Sequence, residues 1–144
     1  MREMVIPAEA DWRSEPWDLD IPYAYEHFFG KSLVEAFDLF VENALRYQED
    51  IMFMPLACFE YYIHAYMDYL LSDKSAGDSD GANCFFGIVE CRSHDICGGG
   101  DVLRRRVVEV LDRLRTRQPW YDATPEIYGD FAVMADEAMK LIES

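Results

Sequence analysis

The sequence predicts an all-α fold, a compact single-domain bundle of four long helices with shorter ones between them. Three observations predict it. Apolar residues recur at helical spacing in four long segments, each opened or closed by a capping or breaking residue. One of these segments, residues 51–71, is aromatic and apolar around nearly its whole circumference, which suits a central helix with neighbours on several sides. No stretch shows convincing strand alternation; residues 84–90 are the only candidate.

Residues 1–22 read as an irregular arm packed on the domain. Trp12, Pro16, Trp17 and Pro22 are set among Glu9, Asp11, Glu15, Asp18 and Asp20 without a helical or alternating period. Tyr23 to Phe29 suits a short helix stopped by Gly30, a residue at ease in the left-handed conformation. Ser32, with Glu35 three residues on, spells a capping box, and Leu33, Ala36, Phe37, Phe40, Val41, Ala44, Leu45 and Gln48 trace the apolar stripe behind it.

The central helix is expected after Glu49 and Asp50, with Pro55 in its first turn. Residues 72–81 form a loop by composition, and residues 83–90 a short helix. A glycine run at 98–100 makes a second break, after which Asp101 caps a helix to about Arg117 with Leu103, Val107, Val110, Leu111 and Leu114 buried. Thr124 and Pro125 start the last helix, which is expected to run to about Ile142 with Ile127, Phe131, Met134, Ala138 and Leu141 buried. Gly129 lies inside it and suggests a close backbone approach. There is no internal repeat, so residues 1–144 read as one domain.

Charge is the strongest global feature. The chain of 144 residues carries 28 acidic and 13 basic residues, a net of −15. Residues 1–80 hold seventeen acids and five bases, a net of −12. Such a surface repels nucleic acid and anionic lipid and attracts cationic partners. No apolar run approaches the roughly 20 residues that span a bilayer. The opening residues have no apolar core of signal-peptide length, so the expectation is a cytoplasmic protein whose Cys58, Cys84, Cys91 and Cys97 are reduced.

Several constellations could carry chemistry. Glu60, His64 and Asp68 recur every four residues and share one sector of the central helix, either a water-facing strip or the wall of a site. The ends of that row are about 12 Å apart by helix rise, so at most an adjacent pair could serve one ion. Cys84, Cys91, His94 and Cys97 supply four soft ligands within fourteen residues, without the paired knuckles of known zinc modules. Asp78, Asp80 and Gly81 fail the calcium-loop register, and the 98–100 glycines lack the remainder of a phosphate-binding motif. No nucleophile elbow is present.

In the arginine-rich helix, Arg105–Glu109, Glu109–Arg113 and Asp112–Arg115 are spaced to pair, which leaves Arg104 and Arg106 for acids elsewhere in the chain or in a second copy. The last possibility would make the protein a homo-oligomer.

Residues 28–31, Phe-Phe-Gly-Lys, and the run from Met54 to Leu71 carry a resemblance. A proline followed by Phe59, Tyr61, Tyr62, Ala65 and Tyr66, in the pattern Phe-x-Tyr-Tyr-x-x-Ala-Tyr, resembles an uncharacterised bacterial family of small helical proteins. His64 stands where that pattern has proline. The resemblance covers residues 28–71 and implies a helical fold with the patterned helix buried; it implies no activity, cofactor or site residue.

The functional expectation is a non-catalytic acidic protein-binding module, an immunity-type or regulatory partner of a basic protein, needing no cofactor and having no catalytic residues. Its contact residues are expected to be Trp12, Trp17, Asp18, Asp20 and Tyr23, joined by Glu60 and Asp68 where their strip is exposed. The alternative expectation is a metal-binding protein or metal-dependent enzyme built on Glu60, His64 and Asp68, or on Cys84, Cys91, His94 and Cys97.

Overall fold

The structure, a computed structural model, describes residues 4–143 and is all-α. The first three residues of the amino-terminal arm lie outside the described residues. In order, the helices are α1 (Glu9–Trp12), α2 (Ile21–Phe28), α3 (Leu33–Phe53), α4 (Leu56–Leu71), α5 (Ser79–Cys91), α6 (Ser93–Gly98), α7 (Asp101–Thr116), α8 (Pro125–Tyr128) and α9 (Phe131–Ile142). The chain divides into two compact units, one ending at Tyr66 and one beginning at Met67, so α4 belongs in part to each.

In the first unit, α2 packs on α3. Gly30 stops α2 with φ of +77°, as its type predicts. The capping box then starts α3: Ser32 Oγ accepts from the Glu35 amide at 3.2 Å, and Glu35 Oε1 accepts from the Ser32 amide at 3.0 Å. Halfway along, α3 kinks. Asn43 leaves helical geometry (φ −164°, ψ 83°), and its Oδ1 accepts from the Arg46 amide at 3.1 Å, acting as an N-cap for the second half. The buried stripe becomes Ala36, Phe40, Ala44, Tyr47 and Ile51, while Val41 and Leu45, expected inside, are exposed.

The helix expected over 51–71 begins later. Residues 51–53 complete α3, Met54 turns extended (φ −65°, ψ 149°), and α4 starts at Leu56. Proline explains the break, because its ring disfavours helical geometry in the residue before it. The expected burial of this helix holds: Phe59, Tyr62, Ile63, Tyr66, Met67 and Leu70 have no exposed surface.

Tyr62 is the junction of the first unit. Its hydroxyl lies 2.8 Å from the carbonyls of both Phe28 and Lys31, and its ring lies 5.0 Å from that of Phe28. Phe28 also meets Phe40 and Tyr47, and Phe40 stacks on Tyr66 at 5.0 Å. Burial among these rings pushes the Tyr62 phenol well above its ordinary range.

In the second unit, α9 packs against α5, α6 and α7. The α5 helix begins four residues before its expected start, because Asp78 Oδ1 accepts from the Gly81 amide at 3.0 Å. Residues 84–90, the strand candidate, lie within it. The α7 stripe is buried as expected, although Asp101 is its first residue rather than its cap.

The last helix is broken. Gly129 adopts φ of +86° and ψ of −179°, a region essentially closed to other residues, and separates α8 from α9. No close backbone approach explains this glycine, since an added Cβ would meet only the Met134 sulfur at 3.5 Å. Asp130 restarts the helix by accepting from the Ala132 amide at 2.9 Å. The restart resets the buried face to Phe131, Ala135, Ala138 and Ile142, leaving Ile127 and Leu141 exposed.

Two substitutions test these constraints. Tyr62→Phe removes the buried hydroxyl that serves the Lys31 carbonyl and shares that of Phe28, and should lower the unfolding free energy by about 1–2 kcal/mol in urea melts. Gly129→Ala should lower it by about 1–3 kcal/mol through backbone strain, in a melt otherwise unchanged in cooperativity.

Candidate functional site

A cleft of about 210 Å³ opens in the first unit, lined by Asp20, Tyr23, His27, Arg46, Glu49, Asp50 and Phe53. Two short-range patterns build it. Tyr23 and His27 stand one turn apart on α2, and Arg46, Glu49, Asp50 and Phe53 follow i, i+3, i+4, i+7 spacing on α3. The Asn43 cap sets the rotational phase of that second stripe, because the helix restarts there. Ahead of α2, Asp18 Oδ1 accepts from the amides of Asp20 at 2.8 Å and Ile21 at 3.0 Å, fixing the entry into the helix.

The floor is a histidine–carboxylate pair. His27 Nδ1 lies 2.7 Å from Asp50 Oδ2, with the two side chains 19% and 11% exposed. The imidazole stands edge-on to Tyr47 at 5.2 Å, and the Arg46 guanidinium lies over the same ring, 5.2 Å from its centroid. Burial pushes the Asp50 carboxyl above the usual range, and the bond to His27 opposes that rise. Tyr23 and Phe53 flank the opening and are 62% and 45% exposed.

The lining therefore joins three carboxylates and one guanidinium to two accessible rings. The only hydroxyl in it is the phenol of Tyr23, which gives no serine, threonine or cysteine nucleophile beside the imidazole. Its chemistry suits a cationic group.

The residues expected from sequence are scattered. Asp20 and Tyr23 are in the cleft. Asp18 is exposed but engaged as a cap, which holds its carboxyl below the usual range. Trp12 is a core residue with no exposed surface, its ring 5.6 Å from Tyr25 and 6.2 Å from Tyr62, which corrects its expected role as a contact residue. Trp17 is half-buried, its indole N–H donating to the Trp12 carbonyl at 3.1 Å.

The Glu60, His64 and Asp68 row is not a continuous wet strip, because α4 is enclosed at the level of its middle member. Glu60 is partly exposed and His64 is buried. Asp68 Oδ1 accepts from Arg106 at 2.6 Å, which accounts for one of the two arginines left over in the sequence. The other, Arg104, pairs with Asp101 at 2.6 Å. Arg115 bridges Asp112 and Asp136, and Arg113 lies over Trp120.

Cys91 and His94 are exposed, Cys84 and Cys97 partly so, and Cys58 is buried. Among the described residues no group of three or more His, Cys, Asp or Glu side chains is arranged to hold a metal ion, so neither candidate metal set is assembled.

His27, Arg46, Glu49, Asp50 and Phe53 were not singled out by the sequence. The available signal was the spacing of 46, 49, 50 and 53, which places mixed charge and an aromatic on one helical face. No family model matches the chain, and neither a curated protein nor a solved structure matches it. Among the described residues no helix is long and apolar enough to cross a membrane.

The pair has a pH signature. With its folded-state pKa raised, Asp50 favours the folded state below the unfolded carboxylate range, near 4, and that contribution fades as pH rises through the folded value. At neutral pH its buried charge is a burden that His27 offsets. His27→Ala should therefore cost about 1–3 kcal/mol at pH 7, and the deficit should shrink as acid titrates Asp50, as followed by denaturant melts from pH 7 to pH 4.

Proposed function

We propose that this chain is a non-catalytic acidic binding module that takes a basic protein as its partner, in the manner of an immunity-type or regulatory protein. The observation that carries the reading is the α2–α3 cleft, whose lining combines Asp20, Glu49 and Asp50 with the exposed rings of Tyr23 and Phe53, against one guanidinium, Arg46. A lysine or arginine side chain entering it meets carboxylates below and aromatic surface at the sides. This is the combination that makes hot spots at protein interfaces, with charge speeding encounter and rings holding the complex.

The net charge of −15 supports the same reading at long range, since a field of that sign accelerates the approach of a cation and repels nucleic acid. The absence of a neighbouring nucleophile in the cleft, and of an assembled metal set among the described residues, gives the enzyme alternative no comparable support.

The test is to capture partners on the immobilised full chain, purify the one retained, and measure its affinity by calorimetry at low and high salt. The expected partner is strongly basic. Its affinity should fall roughly tenfold or more for Tyr23→Ala and for the Asp20→Asn/Glu49→Gln double variant, and also with added salt. Glu137→Gln, an exposed acid of α9, should leave it unchanged. A purified partner indifferent to the cleft variants would overturn the reading.

A further inference from the structure

A second cation site in the first unit is already filled, by the chain itself. The Arg13 guanidinium lies over Trp17, 3.5 Å from the ring centroid, and 5.8 Å from the centroid of Tyr25. Its Nε–H donates to Glu9 Oε1 at 3.1 Å. Tyr25 lies 5.2 Å from Trp17 and is backed by the exposed Phe29, stacked on it at 4.6 Å, so Trp17 and Tyr25 form a shelf with the Glu9 carboxylate beside it.

The walls are held by bonds in which Arg13 takes no part. The Trp17 indole N–H donates to the Trp12 carbonyl at 3.1 Å, and the Tyr25 hydroxyl donates to Glu9 Oε2 at 2.5 Å. Trp12, wholly buried, anchors the shelf from beneath by its edge-on contact with Tyr25. The shelf is therefore preorganised, and aromatic faces beside a carboxylate are the chemistry that recognises a guanidinium. Arg13, by contrast, is a loosely held occupant: its side chain is 53% exposed, as is most of the carboxylate it pairs with.

We propose that Glu9, Trp17 and Tyr25 form a guanidinium-binding site that Arg13 occupies as an internal mimic, and that an arginine of the basic partner displaces Arg13. The inference rests on the proposed function and deepens it by naming arginine as the partner's recognition chemistry. Exposed cation–π and ion-pair contacts are individually weak, so release of Arg13 lowers the partner's affinity by only about tenfold. An arginine held in a desolvated interface gains more from the same rings than Arg13 does in water. The internal occupant thus raises the threshold for partners that offer one isolated cation.

The experiment titrates a short peptide carrying three spaced arginines, and the same peptide with citrulline in their place, into the isotopically labelled full chain. The readout is the Trp17 indole N–H resonance, assigned by its loss in Trp17→Phe. Arg13→Ala should bind the arginine peptide about tenfold more tightly than wild type, with the Trp17 signal moving, and should ignore the citrulline peptide. Arg105→Ala, which changes the net charge equally on exposed α7 surface, should bind as wild type does.

Equal affinity for Arg13→Ala and Arg105→Ala, or an equal response to the citrulline peptide, would overturn the inference. Far-UV circular dichroism checks that Arg13→Ala is folded. Should it not be, Arg13→Gln, which keeps the aliphatic stem and removes the charge, is titrated instead under the same criteria. A purified partner that responds to Asp20→Asn/Glu49→Gln but not to Arg13→Ala would reject this site while leaving the cleft intact.

Discussion

A phenol sunk into an apolar helix face must find an acceptor, and the first unit is arranged around that requirement. Tyr62 has no exposed surface, and its hydroxyl reaches the carbonyls of Phe28 and Lys31, where α2 ends and the chain turns through Gly30 into α3. The Phe28 carbonyl also accepts from the Lys31 amide at 3.0 Å, so the buried hydroxyl adds a donor at a helix terminus, where intrahelical partners run out. The bond fixes the end of α2 against α4, and the ring contacts of Phe28 with Phe40 and Tyr47 extend that fixation into α3.

With α2 held, its alternate turns are committed to different tasks. Ala24 and Phe28 go to the core, Tyr23 and His27 to the cleft shared with α3, and Tyr25 and Phe29 to the shelf beneath the amino-terminal arm. An eight-residue helix and the residue that follows it thus present two aromatic, carboxylate-edged surfaces, because three i,i+4 pairs, the last reaching Phe29 just past the helix end, point in different directions. The helical class, the capping box, the Gly30 stop and the burial of the Tyr62 segment were legible in the sequence because each depends on residues close in the chain.

What was not legible follows from the same physics. Three breaks, at Asn43, Met54 and Gly129, reset the phase of the helices after them, and a stripe extrapolated across a break lands on the wrong face. Leu45, Ile127 and Leu141 were misplaced across such breaks, whereas Val41, ahead of the first one, is exposed for no reason the breaks supply. Asn43 and Gly129 look like tolerable interior residues until the backbone shows one capping the following turn and the other in a glycine-only conformation. The His27–Asp50 pair joins residues 23 positions apart, and no local spacing announces it. Asp20 and Tyr23, expected as contacts on composition, line the cleft, whereas Trp12 is buried, and composition does not distinguish an anchoring ring from a buried one.

The two surfaces differ in how their charge is prepared. Glu9 at the shelf is exposed, and its bonds to Tyr25 and then Arg13 hold its carboxyl below the usual range, so it stays ionised and well solvated. Asp50 at the cleft floor has already given up most of its water, and His27 holds it in one orientation. A cation reaching Asp50 would therefore meet a carboxylate most of whose desolvation took place on folding, which lowers one of the opposing terms in association. A cation reaching Glu9 must strip water and displace Arg13 first. Under the proposed reading, the cleft would be the better-prepared half for affinity, and the shelf, with its internal competitor, the half that would discriminate among cations.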